Sequence, residues 1–434
     1  MTFKRTLLAT AIAGATFASS AAYATNGYQL IGVGGYQMGM AGAVTSNPGS
    51  AMTATSNPAG IGVVQPGADF SMEAFMPERS VSLGGGAPAQ DSETDLYGVP
   101  SIGWSAPVSE GSNVYFGGGM YATSGLGVDY LFPADDAGNT TFQGYSQLGV
   151  FQMSPALAVK VDNRLTIGGA LNIGYMQLGF KQGITSNADG SALTAGDIPG
   201  QPLPPAYVDM SQSANAFGLG ATLGVIYDVN DMVTVGASYR TEQKFQDLEY
   251  NLSHGQIEVQ GNQMPAGRYT ASMDLPQQFS VGGTIRPMEG LEISGDVKWI
   301  NWAGTMDSFV VSGPNGFEMD LGPDWDDQVV YAIAADYQVT PKLAVRAGFN
   351  YGKSPVQSEQ VANNLIFPAV VEQHYTAGFT YEINNHWNIG ASYMYAPKET
   401  FTAPANSGQQ GDMNNEQEIS LEESAIVVNL GYKF

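Results

Sequence analysis

The chain has 434 residues, of which 55 are glycine, 13% are charged and none is cysteine. An average soluble domain has about 25% charged residues, so this composition disfavours a soluble protein. The formal net charge of −24 excludes a nucleic-acid partner, because phosphate binding requires clustered lysine and arginine.

The N-terminus has the pattern of a cleaved export signal. Lys4 and Arg5 precede an apolar stretch of small residues, and Ala22-Tyr23-Ala24 forms an A-x-A cleavage site. The apolar stretch is shorter than the about 20 residues that a membrane-spanning helix needs. We therefore predict a signal peptide over residues 1–24. Its removal takes away two positive charges, which changes the formal net charge from −24 to −26.

The segment that follows, residues 25–66, lacks strand alternation and contains no Asp, Glu, Lys or Arg. Disordered tails are normally charged and poor in apolar residues. A weakly polar segment of small residues can instead pack inside a lumen. We predict a plug, here called the hatch, over 25–66 and a transmembrane barrel over 67–434; a disordered tail is the alternative.

Alternation of bulky with small or polar residues recurs along the rest of the chain, as expected for strands with a lipid face and a lumen face. In the last strand the bulky residues are Ile426, Val428, Leu430, Tyr432 and Phe434. Similar runs cover 217–227, 343–352 and 387–395. The aromatic C-terminal residue resembles the signal by which the barrel-assembly machinery recognises outer-membrane proteins.

Turn-forming residues give the strand count. Short turns lie near 107–113, 162–163, 230–231, 287–290, 340–341 and 384–385. Longer polar loops lie near 84–93, 126–143, 183–211, 248–266, 304–324, 354–370 and 399–418. These connections separate fourteen strands. The fold class is therefore all-β: a transmembrane antiparallel β-barrel in the outer membrane of a Gram-negative bacterium, surrounded by lipid and lipopolysaccharide, with its short turns in the periplasm.

An ordered set of motifs resembles the FadL/TodX family of outer-membrane transporters for long-chain fatty acids and aromatic hydrocarbons. The motifs are Gly27-Tyr28-Gln29-Leu30, Ser56-Asn57-Pro58-Ala59-Gly60-Ile61, Leu275-Pro276, Trp299-Ile300-Asn301-Trp302, Asp324-Trp325-Asp326-Asp327-Gln328, Gly348-Phe349-Asn350-Tyr351 and Lys353-Ser354-Pro355-Val356. The resemblance covers essentially the whole mature chain. It implies passive uptake of a hydrophobic small molecule, most favourably a long-chain fatty acid, through a plugged fourteen-stranded barrel with lateral exit at a kinked strand.

The resemblance also suggests positions in the hatch. Tyr28 corresponds to an aromatic residue near the bound ligand, although it can equally be a packed plug residue. Asn57, Pro58 and Ala59 match the hatch motif. Since Asn tolerates turn conformations and Pro fixes φ, we expect Asn57 and Pro58 to shape the hatch rather than touch the ligand.

Further candidates lie in the barrel strands. Gly117, Gly118 and Gly119 can mark the kink, or can simply allow close packing. By alternation the side chains of Arg240, Lys298 and Arg346 face the lumen. A fatty-acid carboxylate could meet them there. The alternative is an ion-paired wall, in which Glu292, Asp296 and Glu382 neutralise the three cations. Such a wall would suit a neutral hydrocarbon substrate.

Six methionines, Met38, Met40, Met52, Met72, Met76 and Met120, can line an apolar path or serve ordinary packing. The histidines, His254, His374 and His386, are too far apart in the predicted barrel for a metal cluster, and His374 alone has no marked catalytic partner. We therefore predict no enzyme activity, no cofactor and no metal. A barrel adhesin and a barrel hydrolase are the less favoured functions.

Overall fold

The computed structural model describes residues 25–83, 88–131, 142–184, 206–259, 262–404 and 416–434. The predicted signal peptide lies outside these ranges. Fourteen long antiparallel strands form one wall, as predicted. They are Gly67–Ser82 (β1), Tyr97–Pro107 (β2), Val114–Leu131 (β3), Phe142–Met153 with Ala156–Lys160 (β4), Leu165–Ile184 (β5), Ala206–Asn230 (β6), Val233–Arg240 (β7), Gln278–Met288 (β8), Leu291–Ile300 (β9), Gln328–Thr340 (β10), Leu343–Gly352 (β11), Gln373–Glu382 (β12), Trp387–Thr402 (β13) and Glu418–Lys433 (β14).

The wall closes between its first and last strands. The β14–β1 ladder runs without interruption from the Lys433–Gly67 pair to the Glu418–Ser82 pair. Closure leaves no open sheet edge there, which is what a strand structure in lipid requires. The predicted short turns connect β2–β3, β4–β5, β6–β7, β8–β9, β10–β11 and β12–β13. Following the general rule for such barrels, we refer to this end as periplasmic.

Side-chain exposure follows the predicted alternation. The bulky residues of the last strand point outward, with Val428 54% and Phe434 63% exposed, whereas Val427 and Ala425 are fully buried. The same holds in β6, where Phe217, Leu219 and Leu223 are exposed. Two of the six methionines, Met72 and Met120, also face outward, so the idea that they line an internal path is wrong.

Several strands run beyond the predicted loop boundaries. β3 continues to Leu131, β6 begins at Ala206 and β13 continues to Thr402, all within stretches that we expected to be loops. Strand pairing therefore continues through stretches whose glycine and polar residues resemble those of a loop. Within the described residues, no helix is long and apolar enough to cross a membrane.

Short elements cover the outer end of the barrel. Four of them, Leu248–Leu252, Gly267–Ala271, Val310–Gly313 and Phe317–Asp320, form a separate antiparallel sheet within two of the predicted loops. The remaining short strands are Gln90–Asp91, Lys244–Phe245, Ile257–Val259 and Asn262–Gln263. A four-residue helix, Ala303–Met306, and the 3-10 helices Pro314–Gly316 and Ser358–Asn363 complete this layer.

The segment before β1 packs inside the barrel. It contains a hairpin of two short strands, Thr25–Asn26 and Gln29–Leu30, followed by the helix Gly34–Gly39 and the 3-10 helices Ala51–Thr55 and Pro58–Gly62. Between residues 26 and 62, all but Tyr36, Gly49, Ser50 and Ser56 are buried. The hatch is therefore a plug in the lumen, as the uncharged composition indicated.

Candidate functional site

Among the described strands, the hydrogen-bond ladder between β2 and β3 ends early. These strands pair only from Ser101–Tyr121 down to Pro107–Tyr115. Above this point Tyr97–Pro100 pairs with β1 alone, and β3 shifts register against β4 between Ala122 and Ser124. A register shift of this kind bends a strand. We call the space between Tyr97–Pro100 and Ala122–Leu131 the wall gap.

Parts of the chain outside the wall satisfy the free edge of β3 at the wall gap. The backbone N–H of Gly125 donates to the carbonyl oxygen of Tyr28 at 2.9 Å, and Gln29 lies opposite Ser124. Higher up, Glu93 donates its N–H to the carbonyl oxygen of Asp129 at 2.9 Å. The hatch therefore supplies the partner that β2 does not.

The glycine triplet predicted to mark a kink lies just below the wall gap. Gly118 has φ of +138°, a left-handed value that a residue with a side chain rarely adopts. Beside it, β4 is interrupted at Ser154-Pro155, and the N–H of Ser154 donates to the carbonyl oxygen of Gly119 at 2.9 Å. The triplet thus adjoins an irregular part of the wall, while the register shift that opens the gap begins three residues further on.

We expect Gly118→Ala to lower barrel stability by about 1–3 kcal/mol, the usual strain for a side chain in a disallowed backbone region. The new methyl group would also collide with the carbonyl oxygen of Ser154. The measurement is urea unfolding of the barrel in lipid vesicles, followed by tryptophan fluorescence. Gly98→Ala in β2 is the matched control, since nothing lies within 4 Å of its added methyl group. Equal stability of the two variants would contradict the prediction.

The first hatch residues, 25–30, form a hairpin held by aromatic packing. The ring of Tyr28 lies 4.5 Å from that of Trp302 and 5.6 Å from that of Trp325, and the two indoles are 5.2 Å apart. All three side chains are buried. The indole N–H of Trp325 donates to Asn364 at 2.7 Å, and that of Trp302 to Gln328 at 3.3 Å. Tyr28 therefore sits in a fixed aromatic cage.

A cation lies on the outer side of this cage. Lys244 contacts Asp274 at 2.8 Å, and the carbonyl oxygen of Asp274 is 3.5 Å from the hydroxyl of Tyr28. Hydrogen bonds from Lys244 to Asp274 and Glu242 raise the pKa of the lysine. Its position at the surface makes it a weak contributor to stability, because exposed ion pairs are screened by water.

The rest of the hatch, residues 34–62, is held by polar contacts with the wall. The carboxylate of Asp296 accepts the N–H groups of Val44 and Thr45 at 2.9 and 2.8 Å. Other wall side chains bond hatch carbonyl oxygens; these are Ser105 to Ile61, Asn350 to Ala41, Thr376 to Gly39, Ser392 to Gly35 and Arg240 to Thr55. We call this segment the hatch core. Its anchoring differs from the aromatic packing that dominates residues 25–30.

Asn57 makes the densest set of contacts in the hatch core. Its side-chain amide donates to the carbonyl oxygens of Thr45 at 2.7 Å and Val225 at 3.1 Å, and its side-chain oxygen accepts the N–H of Ala59 at 3.1 Å. Pro58 occupies the first turn of the 3-10 helix that Asn57 caps. The contacts of the Asn57-Pro58-Ala59 motif are thus structural.

The three cations that we predicted to face the lumen have different surroundings. Arg346 forms an ion pair with Asp336 at 3.2 Å. The predicted ion pairing therefore holds for Arg346, but its partner is not one of the three carboxylates that we named. Glu292 pairs with Arg286 and Glu382 with Lys433. Across the described residues, Arg240 and Lys298 have no carboxylate oxygen within 4.0 Å. The expected ion pairs of these two residues do not form, because hatch N–H groups occupy Asp296.

Arg240 and Lys298 line one internal cavity between the hatch and β7–β9. The volume of this cavity is about 60 Å³. Its other walls include Gln278 and Ser280 of β8, Thr123 of β3 and the hatch residues Leu30, Ile31 and Val33. The cavity thus combines two cations with apolar side chains, an arrangement that suits an amphipathic anion.

The described residues hold no group of three or more His, Cys, Asp or Glu side chains placed to bind a metal ion. His374 is fully buried, with its Nε2 3.7 Å from Glu423. Trp302, Trp325 and Thr123 were not predicted as site residues. The two tryptophans belong to motifs that resemble the family, but their contact with Tyr28 depends on how three segments distant in sequence pack together.

Comparison with known proteins agrees with this geometry. The profile of the family described as "Outer membrane protein transport protein (OMPP1/FadL/TodX)" matches residues 11–434. Outer membrane protein P1 of Haemophilus influenzae is 24% identical over 328 residues, which cover 72% of this chain and 68% of that protein. The long-chain fatty acid transport protein of Escherichia coli K12 is 23% identical over 428 residues, covering 91% and 92%. The crystal structure of the P. putida toluene transporter TodX superposes with a TM-score of 0.74 at 20% identity, covering 93% and 99%.

Proposed function

We propose a substrate and a route from one premise: the chain belongs to the OMPP1/FadL/TodX family of outer-membrane transport proteins. It is a non-enzymatic outer-membrane barrel that transports hydrophobic compounds. The substrate that we propose is a long-chain fatty acid, taken up by diffusion. A water-filled channel would not suit such a molecule, since each exposed apolar Å² costs about 25 cal/mol.

One observation carries the choice of a fatty acid. Arg240 and Lys298 line the same cavity, and hatch residues occupy the one carboxylate, Asp296, that stands beside them on β9. Among the described residues, neither cation has a carboxylate oxygen within 4.0 Å, and both lie next to Leu30, Ile31 and Val33, which fits a ligand with a carboxylate at one end and an alkyl chain at the other.

For the route, we propose entry from the outer loops, displacement of residues 25–30 and exit through the wall gap into the membrane. The differing attachment of the two hatch parts supports this order. The hairpin is held mainly by Tyr28 and its aromatic neighbours, whereas the hatch core has many polar anchors. Moving the hairpin also removes Tyr28 from the free edge of β3.

A neutral aromatic hydrocarbon is the second candidate. The aromatic cage favours it, because a ring that takes the place of Tyr28 would meet the faces and edges of Trp302 and Trp325. In that case Arg240 and Lys298 would have no part in substrate recognition. Among the family relatives, the E. coli protein is described as a fatty acid transport protein and the P. putida protein as a toluene transporter.

Growth of a strain that lacks this chain tests the function. We expect slow growth on oleate as the sole carbon source, restored by the gene on a plasmid, with unchanged growth on acetate as the control. A defect on toluene instead of oleate would select the hydrocarbon. Normal growth on oleate, alkanes and toluene would refute uptake.

Two further partners follow from the same proposal. The outer face would contact lipid and lipopolysaccharide, and the β14 strand ending at Phe434 would be read by the barrel-assembly machinery. An adhesin or a general pore would differ from the proposed transporter in the lumen. A steady conductance of porin size in planar bilayers would contradict a plugged transporter.

A further inference from the structure

A third cation, Arg79 of β1, is buried beside the wall gap without a carboxylate partner. Its side chain is only 5% exposed. One terminal nitrogen, Nη2, donates to the carbonyl oxygen of Thr94 and to the hydroxyl of Tyr97 at 3.1 Å. The guanidinium carbon lies 5.4 Å from the centre of the Tyr97 ring. These contacts fix the orientation of the guanidinium.

The other two guanidinium nitrogens, Nε and Nη1, are buried and have no acceptor. Over the described ranges, Arg79 has no carboxylate oxygen within 4.0 Å. A buried charged donor without an acceptor is unfavourable and rare in folded proteins. Arg79 is therefore oriented for an acceptor that the protein itself does not supply.

A small cavity of about 20 Å³, which is open on one side, lies against Arg79. Its apolar lining comes from Phe75, Pro77, Leu126, Pro368 and Leu421. It also touches Gly125 and Gly127 on the free edge of β3, and Gly27 of the hatch hairpin. The cavity thus joins the wall gap to the segment that we propose to move.

A carboxylate of the protein, Glu423, lines the same cavity. Its Oε2 lies 3.7 Å from Nε2 of His374. The carboxyl oxygens of Glu423 would disfavour a doubly charged head group such as a phosphate monoester more than a singly charged one. The cavity therefore favours a monoanion with an apolar chain.

We propose that Arg79 binds the carboxylate of an amphipathic monocarboxylate at the wall gap, in a second site separate from that of Arg240 and Lys298. This inference rests on the proposed uptake of fatty acids. The head group accepts hydrogen bonds from the free guanidinium nitrogens, and the first carbons of the chain contact Phe75, Leu126 and Leu421. A fatty acid that follows the proposed route would then bind at a defined site next to the membrane before it leaves the barrel.

The test compares laurate with 1-dodecanol, which has the same chain length and no charge, at pH 8. Binding to the purified full-length barrel is measured by isothermal titration in a non-ionic detergent. We expect the wild type to bind laurate in two events. Arg79→Gln should weaken one of them about tenfold or more, the typical effect of losing a charge-assisted hydrogen bond, and should leave 1-dodecanol unaffected. Glu423→Gln should strengthen laurate binding.

Arg268→Gln is the control, because this arginine is exposed in the outer sheet and pairs with Glu249. Arg79→Lys keeps the charge and serves if the glutamine variant does not fold. Arg79→Lys should therefore retain more of the laurate affinity than Arg79→Gln does, and neither variant should change the affinity for 1-dodecanol. Unchanged laurate affinity in Arg79→Gln, or equal loss for both ligands, would overturn the second site. If Arg240→Gln/Lys298→Gln still weakens laurate, the proposed function survives; wild-type protein that binds neither ligand would refute that function itself.

Discussion

The double variant Arg240→Gln/Lys298→Gln should bind laurate at least about 100-fold more weakly than the wild type, while its affinity for 1-dodecanol stays the same. Each lost charge-assisted hydrogen bond contributes about 1.5–3 kcal/mol, and every 1.4 kcal/mol changes the affinity about tenfold. Both side chains face one cavity and lack a carboxylate partner, so their charge is available to a ligand.

A matched control removes the same amount of charge from the lumen elsewhere. Arg286 and Lys433 are inward-facing cations that already pair with Glu292 and Glu382 at 2.8 and 2.7 Å. Arg286→Gln/Lys433→Gln should therefore bind laurate like the wild type. A loss of equal size for laurate and 1-dodecanol in the test variant would mean that the cavity recognises the alkyl chain alone, and would favour a neutral substrate.

The second large effect is expected for Asn57→Ala, which should loosen the hatch core and produce a steady ionic conductance in planar bilayers. Asn57 is fully buried, and its amide bridges Thr45 in the hatch to Val225 in the wall. Removing it leaves buried carbonyl oxygens unpaired, at about 1–3 kcal/mol for each group.

The control for this variant is Asn385→Ala, the same substitution in an exposed periplasmic turn. It should leave the conductance at the wild-type level. Both variants should retain the resistance of the folded barrel to sodium dodecyl sulfate at room temperature, since the wall ladders do not involve Asn57. A closed, non-conducting Asn57→Ala barrel would show that the remaining polar anchors suffice to seat the hatch.

The wall could be predicted from the sequence because its signal is local. Alternation in residues 426–434 places each side chain on a known face, and turn formers such as Asn384-Asn385 mark where strands reverse. The inward direction of Arg240 and Lys298 followed from the same alternation. The hatch was predicted because residues 25–66 contain no charged side chain, whereas a disordered tail is normally charged.

The features that decide function are non-local, and the sequence did not reveal them. Residues 122–131, part of which we predicted to be a loop, carry no sequence signal that β2 ends its pairing there and that Tyr28 takes its place. The free charge of Arg240 and Lys298 depends on Asp296 accepting two hatch N–H groups, which only the folded arrangement shows. The role of Arg79 could not be predicted from the sequence, because the orientation of its guanidinium depends on contacts with Thr94 and Tyr97.

The anchors of the hatch core also bear on the order of assembly. They come from strands all around the ring, among them Asp69 on β1, Ser105 on β2, Asp296 on β9, Asn350 on β11 and Ser392 on β13. No partial sheet presents this set of partners at the right spacing, so the hatch core can reach its full set of bonds only when the β14–β1 ladder has formed. We therefore expect ring closure to come before the plug is seated, so that a newly inserted barrel would pass through an open state before it becomes tight to water.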